Sequence, residues 1–266
     1  MEKQEKARNH YEVVKKHVTS EDDMRISKFP PEFDAKWRYM WPIGERAEDD
    51  PALNIKVIPE GFKDWTEKMD KWGNMMVNGC KTASQMAAVG LGLPEDFLLS
   101  KLKYGNHLLA PTGSDLNKYG PGTAFAGFHY DISFLTIHGR SRFPGLYIWL
   151  RNWKKVLVKI PPGCLLLQAG ISFENITGGY ILAGYHEVVH TQPTQEAVQK
   201  VKEQIAQGVP RSLWRVSSTL FSHFSPQEQI GPLQEISHLW GEKQYPALTA
   251  HEMLMRELSA TNMVSQ

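Results

Sequence analysis

The sequence predicts a mixed β fold in which an antiparallel β-sandwich or barrel is flanked by helices. Short β-rich runs separated by Gly and Pro occur between about residues 102 and 224, a pattern typical of antiparallel sheets. Over 61–89, apolar residues recur at three- and four-residue steps, which predicts a helix that ends near Gly90. The tail shows a further helical pattern, because Thr249 and Glu252 have the spacing of a capping box.

The predicted strands share β-branched and aromatic residues bounded by turn residues. They cover 146–150, 156–160, 164–168, 185–190 and 214–224. One helix, 195–207, is expected to interrupt them, with Val198 and Val201 on its apolar side and Gly208 after its end.

The 266 residues are predicted to form a single domain, since no linker is visible inside 61–260. Its expected parts follow the chain in order. They are an irregular or helical N-terminal segment (1–60, with 28–60 rich in Pro), supporting helices (61–100), the β core with its helical insertion (101–225) and a helical tail (226–266).

Composition argues against several classes of function. The formal net charge is +1, so no electrostatic surplus indicates binding to nucleic acid or to an anionic membrane. Cys80 and Cys164 cannot build a disulfide framework. Neither a secretory leader nor a long apolar run is visible, which predicts a cytoplasmic protein.

Two neighbouring residues are the first candidates for metal binding. His129 and Asp131 are two positions apart, and on an extended segment such residues point to the same side, where they can hold one ion together. Alone, the pair is weak, since a surface loop produces the same pattern.

His186 is the third candidate ligand, on a predicted strand that follows Gly178-Gly179. Two histidines and one carboxylate occupy one face of an octahedron and leave the other face open for a cosubstrate and dioxygen. The alternative is a half-buried structural histidine with a backbone partner.

Arg215 and Ser217 form a candidate carboxylate site. On a strand they face the same way, so a guanidinium fork and a hydroxyl can bind one carboxylate. The alternative is an arginine on the outer face of an edge strand.

In this order, H-x-D, a later strand histidine and a strand R-x-S resemble the isopenicillin N synthase-like family of iron(II)/2-oxoglutarate-dependent oxygenases. Flanking segments are similar to the family's LTLL, PGLQV, P-PG and YPPLTAGEHL motifs. They are Leu135-Thr136-Ile137-His138, Pro144-Gly145-Leu146, Pro161-Pro162-Gly163 and Tyr245-Pro246-Ala247-Leu248-Thr249-Ala250.

The resemblance implies a double-stranded β-helix (jelly-roll) core and a dioxygenase activity. Iron(II) would bind to His129, Asp131 and His186, while Arg215 and Ser217 would hold 2-oxoglutarate. A small organic molecule would be oxidised with O2, by default hydroxylated, as 2-oxoglutarate becomes succinate and CO2. We expect a monomer or weak homo-oligomer.

The chain departs from the family pattern at several places. The region before H-x-D has no NYYP-like tyrosine, which puts a second 2-oxoglutarate contact in doubt, and Glu187 replaces the usual arginine after the distal histidine. The 195–207 helix lengthens the step to Arg215. The usual N-terminal strand is not found, so we expect a short N-terminus and an exposed sheet edge.

Residues 186–190 match the zinc-protease motif H-E-x-x-H, which predicts an alternative zinc hydrolase based on His186, Glu187 and His190. The motif works on a helix, whereas the adjacent valines favour a strand. On a strand the two histidines are about 13 Å apart, too far for one zinc ion. A catalytically inactive, oxygenase-like binding protein is the other alternative.

Four further residues are candidates for substrate contact. Arg140 and Arg142 belong to a basic cluster just after the first metal motif, where a solvated loop is the competing interpretation. Tyr130 and His223 are expected near the pocket.

Overall fold

The structure, a computed structural model, describes residues 11–28, 33–47 and 56–259 of the chain. Its α-helices are numbered here in chain order. They are α1 (residues 11–17), α2 (Trp65–Gly90), α3 (Phe97–Lys101), α4 (Ile171–Ile176), α5 (Gln192–Ala206) and α6 (Ala250–Ser259). None of the helices in the described ranges is long and apolar enough to cross a membrane.

The described strands are short, and all of their pairings are antiparallel. They are β1 (Trp37–Arg38), β2 (Trp41–Pro42), β3 (Leu108–Leu109), β4 (Thr112–Asp115), β5 (Ala124–His129), β6 (Leu135–His138), β7 (Leu146–Trp149), β8 (Lys155–Leu157), β9 (Leu166–Ala169), β10 (His186–Val189), β11 (Trp214–Ser217) and β12 (Thr219–Ser222).

The strands form three sheets that make two walls. One wall is the four-stranded sheet β5-β10-β7-β8. The other combines the sheets β1-β4-β11 and β2-β3-β12-β6-β9, because the chain runs directly from β1 to β2, from β3 to β4 and from β11 to β12. The N–H of Ala110 donates to Thr219 O at 2.7 Å across this junction. The space between the two walls is where the candidate site lies.

Helix α2 supports the larger wall from outside. Its buried residues Met76 and Cys80 belong to the same core cluster as Leu109, Ile137 and Leu220 of β3, β6 and β12. Burying such side chains contributes about 1.5–3 kcal/mol each, so the helix fixes the strands it covers. The prediction of a helix over 61–89 is therefore confirmed, with its start at Trp65.

The N-terminal segment covers the outer face of the four-stranded wall. Val14 and Val18 pack against Phe128 and Trp149. The Glu187 carboxylate, which is fully buried, accepts hydrogen bonds from the N–H groups of Ile26 (2.9 Å) and Ser27 (3.1 Å). The acidic residue that departs from the family pattern thus fastens this segment to the sheet.

The predicted fold class is confirmed, and the differences concern boundaries. Each of the five predicted β runs contains a strand. The run 214–224 is divided into β11 and β12 at Ser218, whose carbonyl accepts the Gly139 N–H at 2.7 Å outside the strand pairing. The inserted helix begins earlier than predicted, at Gln192, because Thr191 and Thr194 form a capping box and proline is tolerated in the first turn.

The described part of the 28–60 segment is largely irregular, and its regular elements are the two short strands β1 and β2. These two-residue strands pair with β4 and β3 and lie at the edges of their sheets. Proline at the end of β2 is compatible with an edge position, where its missing N–H costs no ladder bond. The parts of the predicted N-terminal and C-terminal segments at 1–10, 29–32, 48–55 and 260–266 lie outside the described residues.

Candidate metal and anion site

Two histidines meet at the end of β5 and the start of β10. His129 and His186 are direct cross-strand partners, and their ring centroids are 4.2 Å apart. Asp131 follows β5 and places its Oδ1 at 3.7 Å from His129 Nε2 and 3.8 Å from His186 Nε2. The three candidate ligand atoms all lie within 4.8 Å of one another, so a single ion can reach all three.

Backbone carbonyls orient both rings. His129 Nδ1 lies 2.5 Å from Gly127 O, an acceptor, so Nδ1 holds the proton and Nε2 presents its lone pair to the centre. His186 Nδ1 lies 2.9 Å from the Gln168 amide nitrogen and 3.2 Å from Gly184 O, to which the same amide donates at 2.6 Å. A carbonyl behind a ring nitrogen is the usual arrangement for a metal-binding histidine.

The carboxylate of Asp131 is held by hydroxyl groups. Thr136 Oγ1 donates to its Oδ2 at 2.7 Å, and the Ser133 hydroxyl lies 2.8 Å from Thr136 Oγ1. Burial opposes ionisation of Asp131, but the rings of His186, His129 and His138 and the hydrogen bond from Thr136 together keep its pKa below the ordinary value. Burial, with His186 nearby, holds the pKa of His129 well below its ordinary value. A neutral imidazole beside an ionised carboxylate is the protonation state that metal binding requires.

One wall of the same cavity carries an unpaired buried cation. Arg215 is only 7% exposed, and no carboxylate among the described residues pairs with it; its Nε donates to Pro144 O at 3.4 Å. Burial lowers the pKa of Arg215 to about 10, so the guanidinium remains charged at neutral pH. Ser217, two residues on, lines the cavity as well. A buried charge without a partner is costly, which indicates an anionic ligand at this position.

Comparison with solved structures finds the same architecture at low sequence identity. A full-length Neurospora crassa protein in complex with alpha-KG gives a TM-score of 0.68 at 17% identity, covering 88% of this chain and 68% of that chain. A 2OG-Fe(II) oxygenase family protein from Caulobacter crescentus gives 0.68 at 21%, covering 95% and 82%. JOX2 in complex with 2OG, Fe and JA gives 0.64 at 16%, covering 100% and 79%.

The chain has the fold of the 2-oxoglutarate/iron(II) oxygenases. No protein-family model matches the sequence, and no curated protein matches it either. At these identities the likeness establishes the jelly-roll fold, and the function rests on the site itself.

Within this oxygenase fold, the β4 strand provides polar groups that the sequence did not indicate. Ser114 lies opposite Arg215 and Thr112 opposite Ser217, and all four residues line the cavity. A four-residue strand of mixed polarity has too short an alternation to be recognised from sequence.

The two basic loop candidates lie in a neighbouring cavity of about 310 Å³. Arg140 and Arg142 line it together with Lys159, and no acidic residue is among its lining residues. It shares Arg215 and Ser217 with the triad cavity, whereas the triad itself does not line it. Arg140 and Arg142 therefore line a cavity that adjoins Arg215 but does not include the three candidate metal ligands.

Tyr130 and His223 do not line the triad cavity. The Tyr130 hydroxyl donates to Glu257 Oε2 of α6 at 3.4 Å, and its ring packs edge-on against Tyr185. His223 lines a different cavity together with Asn106 and His251, and burial lowers its pKa to about 4. The expectation that they contact substrate therefore gains no support from their positions.

The geometry does not support the H-E-x-x-H zinc site. His186 lies on a strand, and Glu187 points to the opposite face, where it binds the N-terminal segment. His190 Nδ1 lies 2.9 Å from Tyr119 O, and its Nε2 lies 3.2 Å from Gln195 Oε1. Both of its ring nitrogens are thus engaged away from the triad.

Proposed function

We propose that this chain is an iron(II)- and 2-oxoglutarate-dependent oxygenase that oxidises, by default hydroxylates, a small organic molecule. The observation that carries the proposal is one cavity that contains both the triad His129, Asp131 and His186 and the unpaired, buried Arg215. Two imidazoles and one carboxylate on one side of an ion are typical of non-haem iron(II) oxygenases.

Two groups of residues in the cavity would have different functions, one binding the metal and the other binding the cosubstrate. His129, Asp131 and His186 would hold iron(II), and Arg215 with Ser217 would hold the distal carboxylate of 2-oxoglutarate through a guanidinium fork and a hydroxyl. Bound iron(II) supplies the redox chemistry with O2 and 2-oxoglutarate, which is converted to succinate and CO2.

The chain contributes orientation and apolar surface. Thr136 fixes Asp131, while Gly127 and Gly184 fix the two rings, so the three donors are held before the ion binds. Phe125, Val188 and Phe221 also line the cavity and give it apolar surface. Asp131 also fills the position that a halide would need, which argues against halogenation.

The solved structures support a small-molecule substrate, since the Neurospora crassa protein was also solved with thymine and JOX2 with JA. We also propose membership of the isopenicillin N synthase-like branch, on the motif order in the sequence, a cytoplasmic location and a monomeric or weakly associating state. A single domain spanning 1–266 is part of the same proposal.

The decisive experiment is an anaerobic titration with iron(II) and 2-oxoglutarate, followed by a succinate assay on admitting O2. We expect a visible charge-transfer band in the unaltered chain that is missing in His129→Ala and His186→Ala. Arg215→Gln should retain iron binding but require far more 2-oxoglutarate, because only the far carboxylate loses its partner.

The alternatives give different results in the same experiment. A zinc hydrolase would bind zinc without the band and would lose activity in His190→Ala. An inactive binding protein would show the band and yield no succinate with any substrate tested.

A further inference from the structure

The segment at the start of β1 brings two further cationic side chains, besides Arg215, to the triad cavity. Lys36 and Arg38 line the cavity together with the triad, although both come from the Pro-rich N-terminal region. Arg38 lies opposite Thr112, which in turn lies opposite Ser217, so these three residues form one row across β1, β4 and β11. Neighbouring strands are about 4.8 Å apart, which places Arg38 about 10 Å from Ser217 along the wall.

The guanidinium of Arg38 is oriented by a hydroxyl and a ring rather than by a carboxylate in direct contact. Its Nε donates to Thr112 Oγ1 at 3.2 Å, and its central carbon lies 5.1 Å from the centre of the Phe221 ring. Neither contact uses its two terminal NH2 groups, and no carboxylate among the described residues forms an ion pair with it. Arg38 is also exposed, so it lies where the cavity meets solvent.

Lys36 differs because it already has a partner. Its Nζ lies 2.8 Å from Asp34 Oδ2, and Asp34 Oδ1 accepts the Gly127 N–H at 2.8 Å. This pair fastens the β1 segment to β5 behind the metal ligands. Lys36 therefore adds to the positive field of the cavity, whereas Arg38 is the group with free donors.

The charges around the cavity leave a surplus that iron and 2-oxoglutarate do not remove. Lys36, Arg38 and Arg215 line the cavity with Asp131, and Asp34 pairs with Lys36, so these five groups together carry one net positive charge. Iron(II) adds two positive charges and the 2-oxoglutarate dianion cancels those two. One positive charge remains, at the end of the wall away from Arg215.

We infer that Arg38 binds a carboxylate on the substrate, so that the oxidised molecule is a small organic acid with an apolar body. A carboxylate matches the single remaining charge and the planar fork of a guanidinium. Phe125 and Phe221, which line the same cavity, provide apolar contact for the rest of the molecule. The inference rests on the proposed function and specifies its substrate class.

The test compares carboxylic acids with their neutral primary amides. Butyrate, hexanoate and 3-phenylpropionate, each beside its amide, are titrated by anaerobic calorimetry into the chain loaded with iron(II) and saturating 2-oxoglutarate. We expect at least one acid to bind tenfold or more tightly than its amide, since a hydrogen bond to a charged group has about that effect.

Variants assign the preference to Arg38. Arg38→Gln should abolish it, and Arg38→Lys, which keeps the charge but not the fork, should retain part of it. Arg211→Gln is the matched control, because Arg211 is exposed and its hydrogen-bond partner among the described residues is Gln204 on α5. The charge-transfer band with 2-oxoglutarate should persist in all three variants, which shows that the site is folded.

Three results would overturn the inference: acids and amides of equal affinity, no binding by any of the acids, or an acid preference that survives in Arg38→Gln. Failure of the proposed function is distinguishable, because the band itself would then be missing in the unaltered chain. In that case the acid and amide comparison is repeated on the metal-free chain, where the preference and its loss in Arg38→Gln are still expected.

Discussion

His186 and His190 lie four residues apart and are almost equally buried, at 3% and 1% exposed, yet their surroundings differ completely. His186 Nε2 faces the Asp131 carboxylate at 3.8 Å, within the cavity. His190 is closed on both sides by Tyr119 O and the Gln195 side chain. Burial alone therefore does not identify a metal ligand; a ring nitrogen that faces a carboxylate in a cavity does.

The largest expected effect separates these two histidines directly. His186→Ala should weaken iron(II) binding at least a hundredfold, because one of three protein ligands is lost and even residues that only orient a ligand change affinity 10- to 100-fold. His190→Ala should leave the iron affinity unchanged and lower the free energy of unfolding by about 1–3 kcal/mol, since the buried ring and its hydrogen bonding to Tyr119 O and the Gln195 side chain are lost. Anaerobic iron titration and urea denaturation of both variants measure the two effects.

The opposite pattern would contradict the comparison. If His190→Ala lost iron or zinc while His186→Ala retained it, the assignment of His186 to the centre would be wrong. Equal losses of affinity in both variants would indicate unfolding, which the denaturation curves would reveal.

The triad could be predicted from sequence because its members are tied to local patterns. His129 and Asp131 are two residues apart, and His186 starts a β-branched run after a Gly-Gly turn. Arg38 could not be found in this way. It lies on a two-residue strand in a Pro-rich segment, and its position depends on pairing with Thr112, a contact between distant parts of the chain.

The alternation of side chains along β10 explains one correct prediction from the sequence and one contact that the sequence could not predict. It correctly separates His186 from Glu187, whose side chains point to opposite faces of β10. It does not show what Glu187 meets on its face, because Ile26 and Ser27 arrive from some 160 residues earlier in the chain. A contact between residues so far apart in the chain cannot be predicted from local sequence patterns, although the fold brings Glu187 next to Ile26 and Ser27.

Glu187→Gln should have the next largest effect, and on stability rather than on iron. The substitution removes a fully buried negative charge that faces Lys155, whose Nζ lies 3.9 Å from Glu187 Oε1. Lys155 keeps its bond to Met24 O, and the loss of charge-assisted hydrogen bonds from Ile26 and Ser27 to the carboxylate should cost about 1–3 kcal/mol. Urea denaturation should show this loss, and hydrogen exchange at residues 24–28 should accelerate.

Iron affinity is the control for that variant. Because Glu187 lies on the face of β10 away from the cavity, the affinity for iron(II) should match that of the unaltered chain. A loss of iron binding with normal stability would show instead that Glu187 acts on the metal centre.

Thr136→Val should weaken iron(II) binding by about 10- to 100-fold without removing a ligand. The hydroxyl of Thr136 donates to Asp131 Oδ2 at 2.7 Å, and valine keeps the shape of the side chain while losing that bond. Thr194→Val is the matched control, since Thr194 is also fully buried but bonds to Pro144 O and Thr191 at the start of α5. Equal iron affinities in the two variants would show that Thr136 does not orient Asp131.

The smallest effect concerns a third buried histidine and the pH dependence of stability. His107 is 3% exposed, and its Nδ1 accepts the N–H of His223 at 3.1 Å. Burial, with His223 and Arg46 nearby, lowers its pKa from 6.5 to about 3. Between these values the unfolded chain binds a proton that the folded chain does not, so stability falls as the pH falls.

The slope for this one group is about 1.4 kcal/mol per pH unit, or about 2 kcal/mol between pH 6.5 and pH 5. His107→Asn should remove that part of the loss, because an amide oxygen can accept the same N–H without titrating. Urea denaturation of both chains at the two pH values measures the difference. An undiminished loss in His107→Asn would mean that His107 takes up its proton at the same pH in the folded and the unfolded chain, so that burial does not lower its pKa.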